Sequence, residues 1–289
     1  MTTRNVLVTG ATGQQGGGVA RNLLTQEHNM TALVRDPEAE KSLALKALGA
    51  ELVQGDFGDR DSLLAARDGV ESVFAVGTPS AGIDAEISQG KALADAAVEA
   101  GVNHYVYSSV AGAQSKSGIP HFDSKAEVED HITTTNLNWS IVAPVFFMDN
   151  VLFPWNTAGL ARGVFRQAMD PATRLQSISV SDIGKFNAAV IDGGEKFFGK
   201  RLEIAGDELT GPQMAEAMAL AIESEIRFEQ QPFEELGAPG TDMLKMYEWF
   251  GTEGFSADIE SLRATYPEIG WTPFAEWTAA IDWNSVLPT

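Results

Sequence analysis

The sequence predicts an α/β fold, a doubly wound parallel sheet of the Rossmann type followed by a smaller C-terminal cap. Three observations carry that expectation. Short β-rich runs alternate with amphipathic helical stretches through roughly the first half of the chain, the pattern of a parallel sheet covered on both faces. Gly10-Ala11-Thr12-Gly13-Gln14-Gln15-Gly16 follows directly on the apolar run Val6-Leu7-Val8-Thr9. Nineteen residues past Gly16 a second apolar run, Thr31-Ala32-Leu33-Val34, ends in Arg35.

Taken in order, the strands fall at 5–9, 30–34, 51–54, 72–76, 104–108 and 139–143, and the helices between them at 14–26, 37–48, 60–66, 85–100 and 124–134. Six strands with helical crossovers make two mononucleotide-binding halves. Beyond Pro144 the rhythm is lost, and a helix at 182–191, a strand at 201–204 and a helix at 211–222 follow. The expected division is a dinucleotide-binding domain over 1–150, with a return of 182–206 to it left open, and a substrate cap over 151–289. Five of the six tryptophans, Trp155, Trp249, Trp271, Trp277 and Trp283, lie in that second part. They fit a cap that shapes an apolar pocket at the carboxyl edge of the sheet, although for most of them filling the cap's own core is the simpler role.

A strand that breaks into glycines and then opens a helix leaves backbone N–H groups unpaired and pointing forward, a seat for a pyrophosphate. Gly10, Thr12, Gly13, Gln14, Gln15 and Gly16 are therefore candidate cofactor contacts. The spacing is GxxGxxG rather than GxGxxG, so the flanking strand and helix, and the charged residue at the right distance, carry the reading. Where an acid would hydrogen-bond the free ribose hydroxyl of NAD, the cation Arg35 favours the 2′-phosphate of NADP(H). The competing role for Arg35 is an ordinary solvated cation ahead of Asp36-Pro37.

Composition removes several classes of function. Cysteine is absent, which excludes disulfides, thiolate catalysis and cysteine-ligated metals. His28, His104, His121 and His131 show no ligand spacing, so no metal is expected. No stretch approaches the about 20 apolar residues of a membrane span, and Met1 to Asn5 run straight into the first strand. No membrane association, no signal peptide and a cytoplasmic location are the expectations. The net charge of −20, from 40 acids against 20 bases spread along the 289 residues, repels a phosphate polymer and disfavours direct nucleic-acid binding. Either a high-salt cytosol or a simply acidic protein accounts for it.

Five segments together are specific. Asn5 to Gly18 (NVLVTGATGQQGGG), Gln54-Gly55-Asp56, Tyr107-Ser108-Ser109-Val110-Ala111, His121 to Glu129 (HFDSKAEVE) and Ala143 to Asn150 (APVFFMDN) resemble the NmrA-like family of atypical short-chain dehydrogenase/reductases. The stretches 178–184 (ISVSDIG) and 202–210 (LEIAGDELT) continue the resemblance. It implies a Rossmann fold that binds NADP(H), with some members quinone or carbonyl reductases and others redox-sensing regulators.

Short-chain reductases resemble one another in a serine after the fifth strand and a Tyr-x-x-x-Lys on the next helix. The tyrosine gives its proton to the carbonyl oxygen as hydride arrives, and the lysine lowers the phenol's pKa and holds the nicotinamide ribose. Here Ser109 stands in the serine position, Lys125 in the lysine position, and His121 in the tyrosine's place. An imidazolium can donate a proton near neutrality but is shorter than a phenol, and the alternative for His121 is pocket lining or helix capping. Lys125 is otherwise a helix lysine paired with Glu129 four residues on. Ser109 either bonds a carbonyl oxygen or caps a turn.

Asp56, with Phe57 after it, resembles the family's adenine contact, with capping of the next helix as its competing role. Gly77 and Thr78 end the fourth strand where backbone must lie close to the cofactor. Pro144 to Phe147 would border the nicotinamide, with Phe146, Phe147 and Met148 as pocket lining, although core packing is the default role for any one of them. The reading is an NADPH-dependent oxidoreductase passing hydride to a quinone or small carbonyl. The alternative is a non-catalytic NADP(H) sensor acting through a regulatory protein partner.

Overall fold

The computed structural model describes residues 3–57, 69–77, 82–238 and 240–288. The helix expected at 60–66 and Thr78 lie outside them. The chain divides into two compact units: Met1–Gln114, Pro120–Ala143 and Val180–Glu203 form the first, and Ser115–Ile119, Pro144–Ser179 and Ile204–Thr289 the second. Among the described residues no helix is long and apolar enough to cross a membrane.

The first unit runs β1 (Asn5–Val8), α1 (Gln14–Thr25), β2 (Asn29–Val34), α2 (Glu40–Ala47), β3 (Glu51–Gln54), β4 (Ser72–Val76), α3 (Ile83–Ala100), β5 (His104–Ser108), α4 (Pro120–Thr134), β6 (Trp139–Pro144), α5 (Val180–Gly193) and β7 (Lys200–Ile204). Its strands form one sheet in the order β7-β6-β5-β4-β1-β2-β3, with parallel pairing from β3 through to β6. This is the doubly wound α/β fold. The order reverses between β1 and β4, and ligands of such sheets bind outside the carboxyl ends of the strands at that switch point. Thr9 ties the two strands there, its hydroxyl accepting from Val76 N at 3.0 Å.

Both faces of the central strands are buried, as parallel strands require. Leu7, Leu33, Val73, Ala75, Tyr105, Tyr107 and Ile141 alternate onto one face and pack with Leu93, Ala94 and Ala97 of α3 and Val128 and Ile132 of α4. Their neighbours Val8, Ala32, Phe74, Val106 and Val142 are fully buried as well. Right-handed crossovers that run both ways from the switch point put α1 on the face opposite α3 and α4.

Two helices begin three or more residues from where the periodicity implies. The expected 37–48 helix starts at Glu40, because Asp36 organises a loop: its carboxylate accepts from Glu38 N at 2.9 Å and its carbonyl from Ser42 Oγ at 2.7 Å. The expected 124–134 helix starts at Pro120. A proline has no N–H to lose at a first helical position, and His121 thereby enters the first turn.

The second unit holds a three-stranded sheet in which Arg174–Ile178 lies between antiparallel Asp207–Thr210 and parallel Phe146–Phe147. A parallel pair joins Val164–Gln167 to Arg227–Gln230. Its helix Gly211–Ile222 opens on a capping box between Thr210 and Gln213, which satisfies two of the terminal N–H groups. Trp249, Trp271, Trp277 and Trp283 are buried, whereas Trp155 is 69% exposed and stacks on Phe153. Four of the five cap tryptophans therefore pack as core.

Helix α1 and helix α5 touch backbone to backbone. A Cβ on Gly184 would stand 2.4 Å from the Gly18 carbonyl oxygen, and one on Gly18 would stand 2.7 Å from that of Val180. Gly184→Ala should therefore destabilise the fold by about 1–3 kcal/mol, the usual cost of overpacking, read as a lower urea midpoint. An unchanged midpoint would show that the two helices are not in contact.

Candidate functional site

The glycine turn is shaped by contacts that no side chain could share. Gly10 has φ +60°, in the left-handed region, and a Cβ there would meet Val76 at 2.7 Å. A Cβ on Gly16 would lie 2.3 Å from the Gly10 carbonyl oxygen. Gly13 donates to Gly10 O at 2.8 Å, closing the turn. The N-cap Gly13 offers no side-chain cap, and the first turn of α1 carries no acid. Thr12, Gly13 and Gln14 are exposed. An uncapped helix N-terminus with no acid in its first turn favours an anion. Gln15 is held across the turn, its Oε1 accepting from Ser108 Oγ at 2.5 Å.

Beside this turn is a cleft of about 410 Å³ lined by Thr12, Val34, Arg35, Asp36, Ala39, Glu40, Lys41 and Ser42. The structure thus brings Arg35 and Thr12 to one site and adds Lys41. Two acids line it too, but Asp36 already accepts from a backbone N–H. The end of β3 joins the same region, since Gln54 Nε2 donates to Arg35 O at 3.2 Å. Asp56 is exposed and Phe57 half-buried just beyond it.

On α4, His121, Lys125 and Glu129 stand four residues apart and so share one face. His121 is half-buried and meets Phe122 edge-on, with ring centroids 4.7 Å apart. The Lys125 side chain is only 10% exposed, and its partner is Glu86 rather than Glu129: Nζ lies 2.9 Å from Glu86 Oε1. Ser124 Oγ lies 2.7 Å from the other oxygen of Glu86. Gly77, half-buried at the end of β4, abuts the same side chain, a Cβ there falling 3.4 Å from Glu86 Cγ and Oε1.

Ser109 departs from both expected roles. It is buried and its hydroxyl donates to Glu129 Oε1. Glu129 also accepts from Gln114 Nε2 and from Arg201 Nε, each at 2.8 Å. Arg201 reaches on to Glu203 at 2.7 Å and to Val110 O at 3.1 Å. Burial works against the guanidinium's charge, but Glu129 and Glu203 outweigh it and leave its pKa raised.

The tyrosine missing at position 121 has no replacement in Tyr107. That phenol is buried on β5 without a hydrogen bond. Burial first, and then the charges of Glu86 and Glu129 along with Tyr105, push it well above the ordinary range. It keeps its proton and serves the core. Pro144, Phe146 and Phe147 belong to the second unit, where Phe146 and Phe147 are half-buried and Phe146 meets Phe250 edge-on. Met148 is fully buried core, the default role for that residue.

Sequence reasoning missed Lys41, Glu86 and Arg201, and named Glu129 only as a partner for Lys125. Lys41 lies six residues from Arg35, and that proximity was its one legible signal; the others gain their roles only from long-range contacts. Removing Arg201 would strand the buried Glu129 carboxylate, so Arg201→Met should cost about 3 kcal/mol, the lower end of the range for breaking a buried pair, because the arginine keeps 22% exposure. Chemical denaturation checks this, and a loss below about 1 kcal/mol, the value of a surface pair, would contradict it.

Residues 2–278 match the NmrA-like family. The NAD(P)H azoreductase of Xenophilus azovorans is 29% identical over 246 residues, which cover 75% of this chain and 84% of the azoreductase. Among solved structures, an NADPH-dependent quinone oxidoreductase from Escherichia coli superposes with a TM-score of 0.76 at 26% identity, over 95% of this chain and 98% of that one. NmrA, a negative transcriptional regulator in complex with NADP, superposes with a TM-score of 0.80 at 21% identity, over 98% and 100% of the two chains, a similarity of fold. With its glycine turn, its doubly wound sheet and a match along nearly its whole length, the chain belongs to the NmrA-like family.

Proposed function

We propose that this protein is an NADPH-dependent reductase of a quinone or small carbonyl acceptor. The observation that carries the cofactor half is the uncapped glycine turn opening beside a cleft that holds both Arg35 and Lys41. Backbone N–H groups at the start of α1 take the pyrophosphate, and the two cations take the 2′-phosphate, arginine through its planar fork and lysine as a point charge. Lys125 hydrogen-bonds a ribose hydroxyl. When bound, NADPH supplies the hydride. His121, in the first turn of α4, hands a proton to the acceptor's oxygen. A quinone asks less of the protein, because its reduced oxygens can take protons from water. The azoreductase and the quinone oxidoreductase among its relatives support this reading.

One observation favours a second reading, a cofactor-dependent sensor that acts on a protein partner. The Ser109 hydroxyl is committed to Glu129, which leaves His121 alone among the proposed proton-handling groups. A sensor needs only a difference in partner affinity between cofactor states.

Two measurements test the proposal. Arg35→Asp should weaken NADPH binding by on the order of 10–100-fold, the worth of a charge-assisted hydrogen bond, and leave NADH binding nearly unchanged. An unaltered preference removes Arg35 from the cofactor site. NADPH oxidation is then followed with quinones, aldehydes and ketones. His121→Ala should slow carbonyl reduction by roughly 100-fold or more and slow quinone reduction far less. Tight NADPH binding with no turnover on any acceptor would favour the sensor.

A further inference from the structure

Glu86 is the most deeply buried carboxylate in contact with the proposed cofactor site, its side chain fully removed from solvent. It stands in the first turn of α3, and both of its oxygens are spent on α4, one on Lys125 Nζ at 2.9 Å and the other on Ser124 Oγ at 2.7 Å. The strand end at Gly77 lies beside it, where a Cβ would stand in ordinary contact, 3.4 Å from Glu86 Cγ and Oε1. A buried ion pair adds little net stability over an apolar pair of the same volume. Stability therefore does not account for a carboxylate here, whereas control of the ammonium does.

A lysine on a helix surface samples many rotamers, and fixing one costs entropy at the moment of binding. Its ammonium has three donors, and Glu86 takes one of them while the side chain retains 10% exposure. We propose that Glu86 is a positioning residue for Lys125: it anchors the ammonium in advance, so that the remaining donors are held for the cofactor ribose. This rests on the cofactor reading above and adds to it the group that gives Lys125 its direction. Glu86 touches neither cofactor nor acceptor in this role.

The test is a double-mutant cycle read by NADPH titration, with thermal unfolding followed in parallel. Wild type, Glu86→Gln, Lys125→Met and the double variant are compared. Glu86→Gln should weaken NADPH binding about tenfold, within the range of coupling between contacting residues. In the Lys125→Met background the same substitution should change the affinity by less than about twofold. Wild-type affinity in Glu86→Gln, with Lys125→Met impaired, overturns the Glu86 role and leaves the Lys125 reading standing. Equal losses in both backgrounds identify a structural effect and also overturn it. Wild-type affinity in Lys125→Met removes the ribose role of Lys125 and the Glu86 proposal together. If Glu86→Gln does not fold, Glu86→Asp, which keeps the charge and shortens the reach, supplies the same comparison.

Discussion

Backbone meets backbone at Gly16, where a Cβ would stand 2.3 Å from the Gly10 carbonyl oxygen and 2.7 Å from that of Thr9. The rest of the first unit depends on that contact. It lets β1 fold back into α1 within a few residues, so the first turn of the helix opens at the end of its own strand. The same helix then lies against α5 through Gly18 and Gly184, again without side chains between. The N-cap is itself a glycine and offers no capping side chain, an arrangement that leaves N–H groups of the first turn available to an anion.

Charge organises the other side of the switch point. Along one face of α4, exposure falls from the half-buried His121 to the nearly buried Lys125 and the fully buried Glu129. Each buried charge has an opposite partner: Glu86 for Lys125 and Arg201 for Glu129. Hydroxyls fill the remaining acceptor positions, Ser124 on Glu86 and Ser109 on Glu129. Burying such ions without partners would cost several kcal/mol each, so α4 cannot rotate or slide without breaking both pairs. The helix that presents His121 and Lys125 is therefore held in one orientation before any ligand arrives, and pre-organisation of this kind lowers the cost of binding.

The two halves of the site differ in what they demand. Cofactor binding draws on backbone amides and cations, and the chain supplies both at the glycine turn and in the Arg35–Lys41 cleft. Proton transfer draws on a single group aimed at an oxygen. Ser109 is turned to Glu129 and Tyr107 is sealed in the core with its proton held, so the proposed reduction would draw on His121. A quinone oxidoreductase and an NADP-binding regulator share this architecture.

The alternation of strands and helices, the glycine turn and the charge at Arg35 were legible because each is written in contiguous residues: period two, period 3.6, or strand, turn and helix in succession. Helix starts at Glu40 and Pro120 were not, since an Asp36 loop and a proline at a first helical position decided them. The sequence alone determined the sheet, the glycine turn that opens its first helix and the cation at the end of the second strand. Only the tertiary structure decided which charges meet. Glu86 reads locally as an acid suited to the first turn of a helix, and Lys125 as a partner for Glu129. Their pairing spans 39 residues, that of Ser109 with Glu129 spans 20 and that of Arg201 with Glu129 spans 72. No local pattern encodes such pairs, because burial is what turns an ordinary charged side chain into an obligate partner, and burial is set by where the sheet brings distant elements together.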